Sequence, residues 1–284
     1  MKARDAVTWG RQRLAARGVP EPIADAEILL AFVLKTERGR LVIERDRILS
    51  PSQRARYQSL IEQRARRIPL PYLTGEVEFY SLPLKVTSAV LIPRPETEIL
   101  VEAVLERLKH RSGELRGADL ATGSGCVAVV LAAHVPHLRL YATDVSLEAL
   151  MVARANVRRY GMGRRVRLRV GDLFTALPKA ACGRLDFIAA NLPYVAKHEF
   201  AQLAPEIRRY EPRQALDGGR DGLVHFRRLL PEAPLWLRPE GLLALEVGFG
   251  QAPKVAAMAW AAGLSAIEVV KDYAGIERVV IGGR

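Results

Sequence analysis

Apolar positions keep helical spacing through the first 67 residues. Ala6, Trp9 and Leu14 mark a first amphipathic helix closed by Gly18 and Pro20, and Pro22 opens a second whose apolar face carries Ile23, Leu30, Val33 and Leu34. Ser50-Pro51 is the start signal of a third, with Ser as N-cap and Pro in the first turn; Tyr57, Leu60 and Ile61 supply its apolar stripe. The period then changes. Between Ile68 and Pro95, prolines and Gly75 break helices, while Tyr80, Leu82, Leu84, Val86, Val90 and Ile92 alternate as in strands, predicting an extended hairpin linker. Helical spacing returns from Thr97 to Leu108.

From Arg116 onward, short apolar runs and helical stretches alternate. Strands are predicted at 118–121, 138–143, 166–170, 185–190, 242–247, 265–270 and 277–281, with helices at 124–134, 147–160, 221–237 and 251–262 between them. Such alternation predicts an α/β fold with a doubly wound, mostly parallel seven-stranded sheet. The expected organisation is a helical domain over 1–67, a hairpin linker over 68–95 and a Rossmann-like domain over 96–284. The helical domain is too small for a cofactor core of its own, so it reads as a docking module or as a cap on the main domain.

Composition narrows the class. The chain has 284 residues, 49% hydrophobic and 26% charged, and no apolar run long enough to cross a bilayer, so a cytoplasmic protein is expected. Cys126 and Cys182 sit in apolar stretches and read as small core residues. The five histidines form no ligand pattern, so no metal is expected. The net charge of +12 comes from 8 lysines and 35 arginines against 31 acids. It favours nucleic acid or an acidic or RNA-bound partner, but the basic residues fall in scattered pairs rather than in an arm. Arg54, Arg64 and Arg67 on the third helix are candidates for attracting such a partner.

The candidate chemistry lies at the strand ends, where open α/β sheets hold their ligands. Asp119 and the loop Ala121-Thr122-Gly123-Ser124-Gly125 join the first sheet strand to a helix, and its glycines let a nucleoside approach the backbone. The spacing also fits a nicotinamide-binding loop, so the glycines alone do not choose between cofactors. Three acids favour S-adenosyl-L-methionine. Asp119 can meet its cationic amino group, Asp144 its ribose hydroxyls, and Asp172 its adenine amine, with Leu173 packing on the ring. The fourth strand ends in Asn191-Leu192-Pro193-Tyr194. An amide, a rigid turn and a flat aromatic face make a slot for a planar nitrogen nucleophile. A nitrogen methyltransferase is therefore expected, its acceptor being an amide or the exocyclic amine of adenine in RNA or DNA.

The chain resembles the peptide-chain release factor glutamine methyltransferases, the HemK/PrmC family. The resemblance rests on Pro71-Tyr-Leu-Thr-Gly75 with Glu78-Phe-Tyr80, Leu91-Ile-Pro-Arg-Pro-Glu-Thr-Glu98, Asp119 to Gly125, Asn191 to Tyr194, Glu211-Pro212, Ala215-Leu216, Asp221-Gly-Leu223 and Asp272-Tyr273. It implies a class I methyltransferase fold and S-adenosyl-L-methionine as methyl donor, with S-adenosyl-L-homocysteine as product. The implied substrate is the glutamine of the Gly-Gly-Gln motif in class 1 release factors. It further implies a helical domain that helps dock the factor; proximity to the ribosome, a monomer and no sequence-specific nucleic-acid binding are expected alongside. By the same resemblance, Ala121 to Gly125, Asp144, Asp172, Leu173 and Asn191 hold the cofactor and Asn191 to Tyr194 hold the glutamine. Phe79 and Arg94 to Glu98 line the cavity. The chain departs from the family pattern at Ala121, where the usual residue is Gly, and at Leu192, where it is Pro. Alanine suffices if the backbone there has negative φ. Asn-Leu-Pro-Tyr is also found in rRNA adenine dimethylating enzymes, which keeps an adenine acceptor open. A non-catalytic translation-associated binding protein is the third reading, and the intact Asn, Pro and Tyr argue against it.

Overall fold

In the computed structural model, which describes residues 1–284, the chain divides into two units: Met1–Glu76 with Ala204–Tyr210, and Val77–Leu203 with Glu211–Arg284. The division falls within the stretch expected to be a linker, because Leu70–Thr74 folds as a helical turn instead of extended chain.

The first unit contains α1 (Ala3–Ala15), α2 (Pro22–Leu34), α3 (Pro51–Ala65) and the short α4 (Leu70–Thr74). Ser50 caps α3 as its sequence predicts: its hydroxyl accepts from Gln53 N–H, and the Gln53 side chain returns the bond. Tyr57 is fully buried and its hydroxyl reaches the carbonyls of Ala6 and Ala26, tying α3 to both neighbours. Two of the three arginines expected to attract an acidic partner are committed internally. Arg64 is buried between Asp25 at 2.6 Å and Glu206 at 2.9 Å, and Arg67 grips the same Glu206 at 2.6 Å. Only Arg54 stands exposed.

The second unit opens with the hairpin β1 (Glu76–Phe79) and β2 (Leu82–Lys85). Its two-residue turn, Tyr80-Ser81, has positive φ at both positions, the twist a tight hairpin requires. Then follow α5 (Pro95–Leu108), β3 (Leu115–Leu120), α6 (Cys126–His134), β4 (Leu138–Asp144), α7 (Leu147–Arg159), β5 (Val166–Val170) and β6 (Leu185–Asn191). The chain continues through α8 (Pro205–Tyr210, in the first unit), α9 (Val224–Leu229), α10 (Ala233–Trp236), β7 (Leu237–Glu246), α11 (Ala252–Ala261), β8 (Ser265–Lys271) and β9 (Glu277–Gly283). The single helix expected over 221–237 is two short ones: Pro231 falls in the break between them, and Pro234 sits in the first turn of the second.

The seven-stranded sheet has the order β5-β4-β3-β6-β7-β9-β8, with β9 antiparallel to its neighbours. This is the doubly wound class I methyltransferase fold. Helices cover both faces, so β6 is buried along nearly its whole length and its middle, Phe187 to Ala190, is apolar. Phe187 and Ala189 pack into one core, Ile188 and Ala190 into the other. Gly117 on β3 makes room for Phe187, since a Cβ there would lie 2.3 Å from the ring. Cys126 is buried as expected, whereas Cys182 is exposed, lying just beyond a surface turn. No helix is long and apolar enough to cross a membrane.

Candidate active site

Strand order reverses between β3 and β6, so the loops leaving them part and open a crevice. A cavity of about 300 Å³ occupies it. Its wall takes in Asp119, Ala121, Thr122, Gly123, Ser124, Asp144, Asp172, Leu173, Asn191, Leu192 and Pro193, bringing most of the expected site residues to one place.

The loop after β3 is held from below. Asp119 is 1% exposed and accepts from the Thr122 hydroxyl at 2.5 Å. Burial pushes its carboxyl up to about 7, against the pull of that hydroxyl and of Ala128 N–H. Ala121 has a φ of 60°, so the expected negative φ is not found. The peptide turns left-handed there to let Thr122 N–H reach Thr143 C=O at 2.8 Å, and alanine bears the strain that glycine would not. Gly123 and Gly125 are left-handed too. A Cβ on Gly123 would meet open space, while one on Gly125 would press on Ala153 at 3.1 Å. Gly125 therefore serves packing below the cavity rather than its wall.

Asp144 spans the loop and the next helix, accepting from Gly123 N–H and Ser146 N–H, both at 2.9 Å. Burial raises its carboxyl, and these backbone donors hold it back. Asp172 pairs with Arg228, and Leu173 follows it in a left-handed conformation. Ser124 Oγ is buried in the wall without a partner. A polar group left so is costly unless a ligand satisfies it. Three carboxylates, an orphan hydroxyl and close-approach glycines fit a nucleoside with a cationic amino acid.

At the other end of the cavity, Asn191 closes β6. Its Nδ2 donates to Thr97 Oγ1 at 3.0 Å, which leaves Oδ1 for the cavity. Leu192 is 2% exposed, its side chain in the core beside Leu120 and Leu223, so only its backbone is available to a ligand. Tyr194 is anchored by its backbone: Gln251 Nε2 donates to its carbonyl at 2.9 Å, and Gly218, Gly222 and Gly248 pack against it so tightly that a Cβ on any of them would collide. The next residue, Val195, bonds to Leu216 and Gly218. The tetrapeptide is thus clamped from outside.

Four further expected residues stand off the cavity wall, among them Tyr194, whose hydroxyl reaches Glu246 Oε1 at 3.4 Å. Phe79 is 1% exposed in the core and does not wall the slot, because its strand turns it inward. Arg94 pairs with the buried Glu211, which also accepts from Ile92 N–H at 3.2 Å, so the pair fixes the loop leading into α5. Glu98 accepts from Tyr80 N–H at 2.7 Å and braces the hairpin turn. Thr97, within the expected segment Arg94 to Glu98, does line the cavity, whereas other residues had no clear signal in the sequence: Glu246 behind Asn191, His225 and Arg228 on the cavity wall, and Asn156. Buried Asn156 ties Ser124 C=O to both backbone groups of Lys85. An asparagine among helical residues resembles any surface position until its neighbours are known.

Two family models match the chain: the PrmC N-terminal domain over residues 5–75 and the methyltransferase small domain over 95–244. A release factor glutamine methyltransferase of Moorella thermoacetica is 45% identical, covering 100% of this chain and 99% of its own. Its namesake in Geobacter sulfurreducens is 41% identical, covering 99% and 96%. Among solved structures, the catalytic domain of hMettl16 in complex with a MAT2A 3'UTR hairpin is 16% identical with a TM-score of 0.57, covering 82% of each chain. A methyltransferase from Pyrococcus furiosus is 20% identical with a TM-score of 0.51, covering 72% of this chain and 90% of that one. These two share the fold.

Proposed function

This chain belongs to the release factor glutamine methyltransferase family, and we propose that it methylates the side-chain amide nitrogen of a glutamine, that of the Gly-Gly-Gln motif in class 1 peptide chain release factors. The methyl donor is S-adenosyl-L-methionine. The observation that carries the reading is Asn191: its amide stands at the end of β6 in the same cavity as the three acids, with Oδ1 turned away from its protein partner.

When bound, the cofactor supplies a methyl group on a sulfonium centre. Asp119 would hold its amino group, Asp144 its ribose hydroxyls and Asp172 its adenine amine, with Leu173 packing on the ring and the unpartnered Ser124 hydroxyl offering a further contact. The loop Ala121 to Gly125 shapes the approach.

A primary amide is a weak nucleophile because its nitrogen lone pair is shared with the carbonyl. Asn191 Oδ1 and the Leu192 carbonyl each accept one N–H of the substrate amide. Two acceptors fix the plane of the amide, aim its nitrogen, and favour the positive charge that develops there as the new bond forms. Leucine supplies that carbonyl as well as proline would, and the glycine clamp on Tyr194 restores the rigidity that proline would have given. The proton departs after the methyl has arrived, so no strong base is needed. The helical unit, with exposed Arg54, is the docking surface for the factor.

Labelled S-adenosyl-L-methionine tests this with three acceptors: a purified class 1 release factor, the same factor with the motif Gln→Ala, and protein-free rRNA. Label on the intact factor alone supports the reading. Label on the RNA alone would replace it with adenine methylation.

A further inference from the structure

Glu246 closes β7 as Asn191 closes β6, and the parallel register sets the two residues side by side. A carboxyl inside a sheet is costly unless it is well bonded. Glu246 is 1% exposed, yet Tyr194 Oη approaches only one of its oxygens, Oε1, at 3.4 Å, and Oε2 has no partner. Packing alone does not account for an acid here.

Thr97, in the first turn of α5 and 2% exposed, stands between them. Its oxygen accepts from Asn191 Nδ2 at 3.0 Å, so its own proton is left for another acceptor, and the neighbouring Glu246 carboxyl, with Oε2 unpartnered, is the group whose charged form Thr97 favours. A hydroxyl has one proton to give, and an ionised carboxylate can only accept. With its proton directed to Glu246, Thr97 can only accept from the amide. Nδ2 must then face Thr97, and Oδ1 must face the cavity. Without the acid, Thr97 is free to donate to Oδ1, and the amide is free to turn over. An Asn191 NH2 would then meet the NH2 of the substrate amide, donor against donor.

We propose that Glu246 is a positioning residue which, through Thr97, fixes which way round the Asn191 amide faces the substrate. This rests on the reading that Asn191 Oδ1 accepts a substrate N–H. The relay is sensitive to protonation. Burial pushes the Glu246 carboxyl up to about 7, with Glu96 on α5 adding to the push; the hydroxyls of Thr97 and Tyr194 and the guanidinium of Arg278 on β9 oppose it. Cys126 on α6 also faces this carboxyl, and burial pushes its thiol up to about 12, so it stays neutral. Protonated Glu246 can itself donate to Thr97, which releases the constraint. Turnover at saturating cofactor and factor therefore falls as pH drops through about 7.

The test compares Glu246→Gln, Thr97→Val and Thr97→Ser in the full-length enzyme, with Asn191→Ala alongside. It reads kcat, KM for the release factor, the cofactor dissociation constant and the melting temperature. Glu246→Gln and Thr97→Val lower kcat on the order of a hundredfold, with KM and cofactor binding within about twofold of wild type. Thr97→Ser, which keeps the hydroxyl, retains activity, and Glu246→Gln combined with Thr97→Val is no worse than the worse of those two alone. The acid limb of kcat disappears in Glu246→Gln. Wild-type kcat in Glu246→Gln together with an inactive Asn191→Ala overturns the relay and leaves the amide slot standing. An active Asn191→Ala removes the slot and the relay together. A parallel loss of cofactor binding and melting temperature would make Glu246 a structural residue and overturn the proposal. Should Glu246→Gln fail to fold, equal kcat in Thr97→Val and Thr97→Ser overturns it.

Discussion

Asp119 lies buried beneath the loop it begins and accepts a 2.5 Å hydrogen bond from Thr122. Burial, the chief cause, lifts its carboxyl to about 7, well above the range of an unfolded aspartate. The protonated form thus favours the folded state. That contribution is complete below about pH 4 and is lost as pH rises through about 7. A cationic amino group at the carboxylate favours the ionised form instead. Cofactor affinity should rise by up to about tenfold per pH unit below about 7 and level off above it. Calorimetric titration across that window checks this, and Asp119→Asn should bind more weakly, without the pH dependence.

Ala121 carries a left-handed backbone at φ 60° that glycine adopts freely. Ala121→Gly should stabilise the protein by about 1 kcal/mol, less the entropy glycine adds to the unfolded chain. Denaturant unfolding of the two proteins measures it. Methyl transfer should be retained, because the loop keeps its shape.

The loop that holds the substrate amide is shaped by glycines distant in sequence. A Cβ on Gly218 would lie 2.7 Å from Tyr194 Cα, so Gly218→Ala must shift the tetrapeptide. Since a displacement of about 1 Å costs on the order of a hundredfold in rate, kcat should fall by that much. Cofactor affinity, set mainly at the ends of β3, β4 and β5, should change far less. Parallel kinetic and binding measurements separate the two effects.

Glu206 receives hydrogen bonds from Arg64 and Arg67 in the helical unit. Burial pushes its carboxyl up, but those two arginines outweigh it and hold it below the usual glutamate range. With the folded value depressed, this stabilisation is present at neutral pH and lost as pH falls through the folded value. Glu206→Ala leaves a buried arginine with one partner fewer and should cost about 1–3 kcal/mol. Thermal melts at neutral and acid pH should show the difference narrowing in acid.

Much of this architecture is legible in residue pattern alone. The seven strands and the helices α1, α2, α3, α6 and α7 follow from apolar period and from capping residues such as Ser50, because burial and local chemistry agree there. The four strand-end residues Asp119, Asp144, Asp172 and Asn191 meet at one crevice, since a parallel sheet aligns all its carboxyl ends. What the pattern misses depends on contacts remote in sequence. Phe79, Arg94 and Glu98 belong to the motifs but spend their side chains on the core, on Glu211 and on Tyr80. Arg64 and Arg67 look like surface charge until Glu206, some 140 residues on, is brought beside them. Glu246 becomes visible only when β6 and β7 pair and set it beside Asn191.

The central claim is that Asn191 holds and orients a glutamine amide. Single-turnover methyl transfer to a class 1 release factor, from enzyme preloaded with S-adenosyl-L-methionine, tests it most directly when wild type is set against Asn191→Ala. The account predicts a rate lower by on the order of a hundredfold to a thousandfold, with unchanged folding and cofactor still bound. A rate near wild type in the folded, cofactor-bound variant would contradict it.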